Sequence, residues 1–303
     1  MRRAAPLLAL LIAGSFPKAS AAFLCSTEKD NETLTQVWMS RCIPYWLSLH
    51  GTLLDNKQLL VGNCFDQWAN NACTDLEFKY VDTTSEVAAF DELHPLTNQN
   101  VIASIESESE WVDADKNALD PGLLAITLTT YLQATGEIID ADILVHASGF
   151  KFEDVSDQVA CMGARTPPFD LRNTLTHEMG HWIGFAHSPV VGSTMEASAR
   201  QCEIQKRDLA QDDKDGVCTV YPKGQATATC KPPTTYTPAG LDVTPFRNQC
   251  DPGRGSMMSS SAGGCSCGAS EAPGALTWLL SLGAARWITL RRSRCIQSRR
   301  SGE

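Results

Sequence analysis

His177-Glu178-Met179-Gly180-His181-Trp182-Ile183-Gly184-Phe185-Ala186-His187 is the stretch from which the rest of this chain is read. Residues four apart share a helix face, so His177 and His181 can present imidazoles to one ion. Glu178, one residue on, projects toward the open side of such an ion, where it can take a proton from a bound water. Gly184 lets the chain leave the helix sharply, because a residue without Cβ tolerates backbone angles that others avoid. That turn returns His187 as a third nitrogen ligand. Three protein ligands plus water is a catalytic zinc arrangement, whereas structural zinc is closed by four.

A bare H-E-x-x-H also arises by chance in helices that bind no metal. Here the extended pattern fixes five positions in eleven residues, and Met195 follows in Gly192-Ser193-Thr194-Met195, eight residues after His187. Together these resemble the metzincin signature and its Met-turn.

The first residues stand apart from the core. Arg2 and Arg3 precede an apolar run over 4–13, and Ala19-Ser20-Ala21 offers small residues for cleavage. Residues 1–21 read as a secretory signal peptide, too short to span a membrane; the alternative is a buried core helix. Twelve cysteines suit the oxidising compartment this implies. Short separations suggest Cys64 with Cys73, Cys202 with Cys218, Cys230 with Cys250 and, more weakly, Cys25 with Cys42. That leaves Cys161 over, either a disulfide partner or a residue able to reach zinc, with the disulfide favoured. Between Ala22 and Pro273 there are 16 Lys and Arg against 34 Asp and Glu. Such acidity argues against nucleic acid and anionic lipid as partners of the mature domain.

Residues 41–51 read as a strand followed by a turn, and 59–72 as a helix with Leu60, Cys64 and Trp68 on one face. Residues 76–81, 101–105, 123–132 and 137–145 read as further strands, the last two joined through Ala134-Thr135-Gly136. The motif helix spans 170–184, and a last short helix spans 212–221, with Asp212 and Asp213 near its N-terminus. Strands with one early helix, then helices, predict a mixed sheet in an α+β domain.

The order of motifs resembles a matrixin-type metzincin, a family of secreted zinc endopeptidases. The matching pieces are Tyr45-Trp46-Leu47-Ser48, Phe65-Asp66-Gln67-Trp68, Leu76-Glu77-Phe78, Thr135-Gly136-Glu137 and Asp140-Ala141-Asp142-Ile143. They continue with 177–188, Met195, Leu209, Asp212-Asp213-Lys214-Asp215-Gly216 and Tyr221, so the resemblance covers roughly 41–222. It implies a metzincin-like zincin domain: a mixed twisted sheet, an active-site helix and a C-terminal helix. It further implies Zn2+ on His177, His181 and His187, Glu178 as general base, and Met195 as a packing floor beneath the metal. The implied activity is hydrolysis of peptide bonds in extracellular proteins through a zinc-bound water activated by Glu178. Substrate would lie along an edge strand, for which Leu124-Ala125-Ile126-Thr127-Leu128 is the candidate; an ordinary sheet strand is the alternative. A non-catalytic zinc module for adhesion is the other functional class, and the presence of Glu178 argues against it.

The sequence departs from the family in two places. No cysteine motif of a zinc-blocking pro-segment precedes Arg41, and the Pro-x-Tyr wall is replaced by Glu196-Ala197-Ser198 after Met195. His50, His94 and His146 form no close cluster and read as surface or core residues. Asp140 and Asp142 could face Ca2+, although a solvated strand end is preferred.

The sequence divides into a signal peptide (1–21), a short N-terminal segment (22–40), a catalytic domain (41–222), a Pro/Thr/Ser/Gly-rich linker (223–264) and a C-terminal segment (265–303). In the last, Gly264-Cys265-Ser266-Cys267-Gly268 precedes an apolar run over 272–290 and the arginines 291, 292, 294, 299 and 300. The run reads as a membrane stop with its basic end inside. This tail resembles the C-terminal sorting tags of myxobacterial surface proteins, with Cys265 as the modification point; a low-complexity amphipathic tail is the alternative. The expected localisation is secreted, anchored at the cell surface or outer membrane.

Overall fold

The computed structural model describes residues 23–28, 31–86, 88–90, 98–113, 116–224, 268–269 and 290–296. Eleven strands and four α-helices are assigned among them. Two short strands, β1 (Thr27–Glu28) and β2 (Asn31–Thr35), form an antiparallel pair. The main chain of the domain then runs through β3 (Cys42–Ser48), α1 (Gln58–Ala69), β4 (Glu77–Thr84) and β5 (Val101–Ile105). Next come β6 (Ala125–Leu132), β7 (Ile138–His146), β8 (Phe152–Glu153), α2 (Gln158–Met162), β9 (Phe169–Asp170), α3 (Leu171–Trp182) and α4 (Gln211–Val220). Two strands from the tail, β10 (Gly268–Ala269) and β11 (Leu290–Ile296), complete the set.

The principal sheet has the order β10-β11-β6-β7-β5-β3-β4. Pairings β7–β5, β5–β3 and β3–β4 are parallel, whereas β6 runs antiparallel to β7. This is the mixed sheet of an α+β domain, as the strand and helix pattern predicts. Side chains alternate between its faces with the period of two that a pleated strand imposes. Thus Ile102, Ala141, Ile143 and Val145 enter the larger core beneath the helices, while Val101, Ala103, Ile126 and Leu144 meet Trp111 and Leu119 on the other face.

Helix α3 is the central element of the larger core. Asp170 caps its N-terminus by accepting from Asn173 N at 2.7 Å, and Arg207 closes on the same carboxylate through Nε at 2.8 Å and through Nη2. Leu171, Leu175, Met179 and Trp182 are all fully buried. The indole N–H groups of Trp38, Trp68 and Trp182 donate to Trp182 O, Thr176 O and Ala141 O, and the Tyr221 hydroxyl donates to Ile183 O. Buried polar groups of such large side chains require partners, and these bonds fix α3 against the segments on every side. Trp38, which falls in the segment 22–40 read from sequence as lying ahead of the domain, packs into the domain. Ser26 N donates to Gly184 O, and Val37 bridges Glu137.

The local pattern finds β3 to β7, α1, α3 and α4 to within two or three residues at most ends, and misses β1, β2, β8, α2 and β9. The cysteines do not follow sequence proximity. Cys73 pairs with Cys218 and Cys161 with Cys202, in place of Cys64–Cys73 and Cys202–Cys218. The reason is helical geometry: Cys64 lies on the buried face of α1, against Arg172 O, while Cys73 sits in the turn that meets the end of the domain at Pro222 and Lys223. Cys25 and Cys42 are also disulfide-bonded, and Cys230 and Cys250 lie outside the described residues. Asp140 and Asp142 are buried, 2% and 1% exposed, which corrects their reading as a solvated strand end; Asp142 Oδ1 accepts from Val101 N at 2.8 Å.

Two outcomes follow from this packing. Burial raises the Cys64 thiol to about 11, so almost none is thiolate at pH 8. Peptide mapping after alkylation at pH 8 should find Cys64 unlabelled in native protein and labelled after unfolding; labelling in the native state contradicts its burial. Gly180 is equally demanding, since a Cβ there would stand 2.1 Å from Met195 Sδ and 2.7 Å from Trp68 Cζ2. Helix propensity favours alanine by about 1 kcal/mol, but overpacking costs roughly 1–3 kcal/mol. Gly180→Ala should therefore lower the thermal midpoint, by roughly 2–4 °C per kcal/mol of net loss. An unchanged or raised midpoint contradicts the close approach of α3 to Met195.

Candidate metal centre

Helix α3 carries His177, Glu178 and His181 into the core, and all three are no more than 1% exposed. The helix stops where Gly184 adopts φ +91°, with a Cβ at that position falling 2.0 Å from Gln36 O. No residue but glycine fits there without displacing the N-terminal segment. The turn sends the chain back past the end of α3, and His187 reaches the other two histidines.

The three imidazoles converge through their Nε2 atoms. His177 Nε2 and His181 Nε2 stand 3.1 Å apart, and His181 Nε2 and His187 Nε2 stand 3.2 Å apart. On His177 the opposite nitrogen, Nδ1, lies 2.5 Å from Thr194 O, and on His181 it lies 2.7 Å from Phe185 O. A carbonyl accepts only, so each of these Nδ1 atoms carries the proton and the matching Nε2 offers a lone pair. Two lone pairs facing each other at this distance repel unless a cation sits between them. Nitrogens bound to one zinc at tetrahedral angles, each at roughly 2.0–2.1 Å, stand about 3.3 Å apart. The donor set fits zinc.

Electrostatics point the same way. Burial, with nearby Lys206 and the neighbouring imidazoles, holds His177 and His181 well below their ordinary range, and burial with Lys206 holds His187 down at about 4. At neutral pH all three are uncharged, the form that ligates a metal. Glu178 is pushed up to about 8 by burial, opposed by the Thr127 hydroxyl and Lys206. Thr127 Oγ1 lies 2.5 Å from Glu178 Oε2 and 3.1 Å from Glu178 O, so β6 holds this carboxylate from the sheet side. The other oxygen, Oε1, is buried and has no hydrogen-bond partner among the described residues.

Met195 is 2% exposed, with its sulfur against Gly180, one residue before His181 on α3. Helix α4 holds it there. Asp213 accepts from Thr194 N at 2.7 Å, Met195 N at 3.2 Å and Ala210 N at 3.1 Å, while Asp212 Oδ2 accepts from the Ser188 hydroxyl. The acids at the start of α4 therefore tie the Met-turn to the helix as well as complementing its N-terminus.

Sequence inspection missed Lys206. Only 1% exposed, its ammonium donates to Glu196 O and to Ser198 O at 2.7 Å, and burial lowers its pKa. It supports the segment that replaces the Pro-x-Tyr wall, and the Cys161–Cys202 disulfide ties down the same loop from its far end. A buried lysine in a short polar run carries no sequence signal to separate it from a surface one.

The remaining histidines divide as core and surface. His146 is fully buried, stacked on Trp111 at 4.0 Å, whereas His50 is exposed and His94 lies outside the described residues. Among the described residues the group of metal-capable side chains is His177, His181 and His187; Asp140 and Asp142, considered for Ca2+, belong to no such group.

Comparison with curated proteins finds no match. A family model, Peptidase_M10: Matrixin, matches residues 67–222, which include the end of α1, the sheet strands β4 to β7, α3, Met195 and α4. That match spans half of the chain and contains the whole histidine and Met-turn geometry. The chain belongs to the matrixin family and is a zinc metalloendopeptidase, acting on protein or peptide substrates.

Proposed function

We propose that the protein is an exported endopeptidase in which His177, His181 and His187 hold the zinc and Glu178 is the general base. The observation that carries this reading is the convergence of three uncharged imidazoles beside a carboxylate with one free buried oxygen. Zinc, when bound, would make water acidic enough to ionise near neutral pH and polarise the scissile carbonyl.

The chain's own residues do the rest. Thr194 O and Phe185 O orient His177 and His181 so that their ligating nitrogens cannot rotate away. Thr127 fixes Glu178 Oε2, which leaves Oε1 to accept the proton of the attacking water. The proton goes next to the leaving amine nitrogen, so Glu178 ends the cycle as a carboxylate. A buried carboxyl whose pKa is raised toward neutrality is suited to both directions of transfer. The substrate backbone lies extended beside β6, the strand that carries Thr127, in the manner of an added strand.

Export is supported by the charged and apolar pattern of 1–21, by the acidic surface composition and by disulfides Cys73–Cys218 and Cys161–Cys202. Surface anchoring through Cys265 rests on the Gly-Cys motif, apolar run and arginines alone. Residues 272–289 lie outside the described residues, and no described helix is long and apolar enough to cross a membrane.

Purified protein should release peptides from casein, and a zinc chelator should abolish release until zinc is restored. Glu178→Ala should keep its zinc and lose roughly 10²–10⁴-fold in kcat/KM. Loss of zinc from that variant, or full activity, contradicts the assigned role. His187→Ala should lose zinc by elemental analysis; retention excludes His187 as a ligand. In the native host, Cys265→Ser should shift the protein from the membrane fraction to the medium, and an exported form still beginning at Met1 contradicts the signal peptide.

A further inference from the structure

The edge of β6 that faces away from β7 is covered. Its partner there is β11, paired antiparallel without a break over seven positions from Leu290↔Leu132 to Ile296↔Ile126. Its sequence is Leu-Arg-Arg-Ser-Arg-Cys-Ile, and the short strand β10 pairs in turn with β11. The tail arginines expected on the inner side of a membrane are therefore, in part, residues of this sheet.

The position on β6 is what matters. Thr127, whose hydroxyl meets Glu178, is paired with Cys295, so β11 runs past the point where the sheet touches the general base. Each backbone N–H and C=O along a strand edge can serve one neighbour. With β11 in place, the edge on which an extended substrate would add is already taken.

We propose that Leu290–Ile296 is an internal, removable occupant of the substrate edge that holds the peptidase well below its full activity. This rests on the reading that substrate adds beside β6. Two features favour occupancy by this segment. Arg291, Arg292 and Arg294 bring positive charge to a chain with 16 Lys and Arg against 34 Asp and Glu over 22–273, so the segment is drawn to the domain from a distance. It is also part of the same chain, with 65 residues between Gly224 and Leu290, so its local concentration is set by that connection rather than by bulk. A strand of modest intrinsic affinity then suffices to close the site, and loss of the tether opens it. A cut anywhere between Gly224 and Leu290 would free β11 from its tether.

Two proline variants of the full chain, Arg292→Pro and Ser293→Pro, test this. Successive N–H groups on a strand point to opposite edges, so one of the two positions faces β6 and its proline deletes a ladder bond there. Against a quenched fluorescent peptide, that variant should exceed wild type at least tenfold in kcat/KM. A synthetic peptide of residues 290–296 should inhibit it again in competition with substrate. Hydrogen exchange of those amides in 125–132 that face β11 should be slow in wild type and fast in the same variant, while those facing β7 stay slow in both. Equal rates for wild type and both variants overturn this restraint. If zinc-loaded forms all cleave nothing, the peptidase reading fails, and exchange still decides occupancy: acceleration in the variant sustains it, and unchanged exchange ends it.

Discussion

Two imidazole lone pairs facing each other at 3.1 Å in a buried site are a constraint that the surrounding structure has to impose. Left free, each ring would turn to find a donor. Thr194 O and Phe185 O prevent that by holding the opposite nitrogens, so the tautomer and the ring plane are set together. Those carbonyls belong to the Met-turn and to the chain just past Gly184. The metal site therefore depends on two backbone turns as much as on the three histidines.

Each turn is fixed by something further away. Asp213 on α4 takes the amides of Thr194 and Met195, so the C-terminal helix fixes the turn whose Thr194 carbonyl holds His177. Gly184 allows the N-terminal segment to cross at the end of α3, where Ser26 N and the Gln36 carbonyl close in. Tyr221 then joins the two ends of the domain, accepting from Trp38 N and donating to Ile183 O. The site is rigid because its supports come from all parts of the chain between residues 23 and 224, and rigidity is what pre-organised ligation requires.

Much of this is legible in the sequence where the cause is local. The motif helix needs a cap at Asp170, apolar residues at helical spacing and a glycine to end it, and all three are present as residue types. Strand β4 shows its alternation directly over residues 77–81. What escapes is set by tertiary placement. Cys73 meets Cys218 because the end of α4 folds back on the turn after α1, which no spacing encodes. Asp140 and Asp142 look like solvated strand acids, yet the sheet is covered on both faces and buries them. Lys206 passes for a surface lysine because its partners, Glu196 O and Ser198 O, are backbone atoms of a loop with no regular pattern. Leu290–Ile296 carries three arginines and follows an apolar run, so its composition suggests a membrane boundary, whereas its backbone pairs with β6.

The central claim is an open zinc site made of three histidines with Glu178 beside it, and zinc X-ray absorption on the purified metal-loaded protein tests it most directly. The account predicts three imidazole nitrogens at roughly 2.0–2.1 Å and an oxygen ligand that does not come from the protein. A sulfur ligand at about 2.3 Å, or a fourth protein ligand closing the shell, would contradict it.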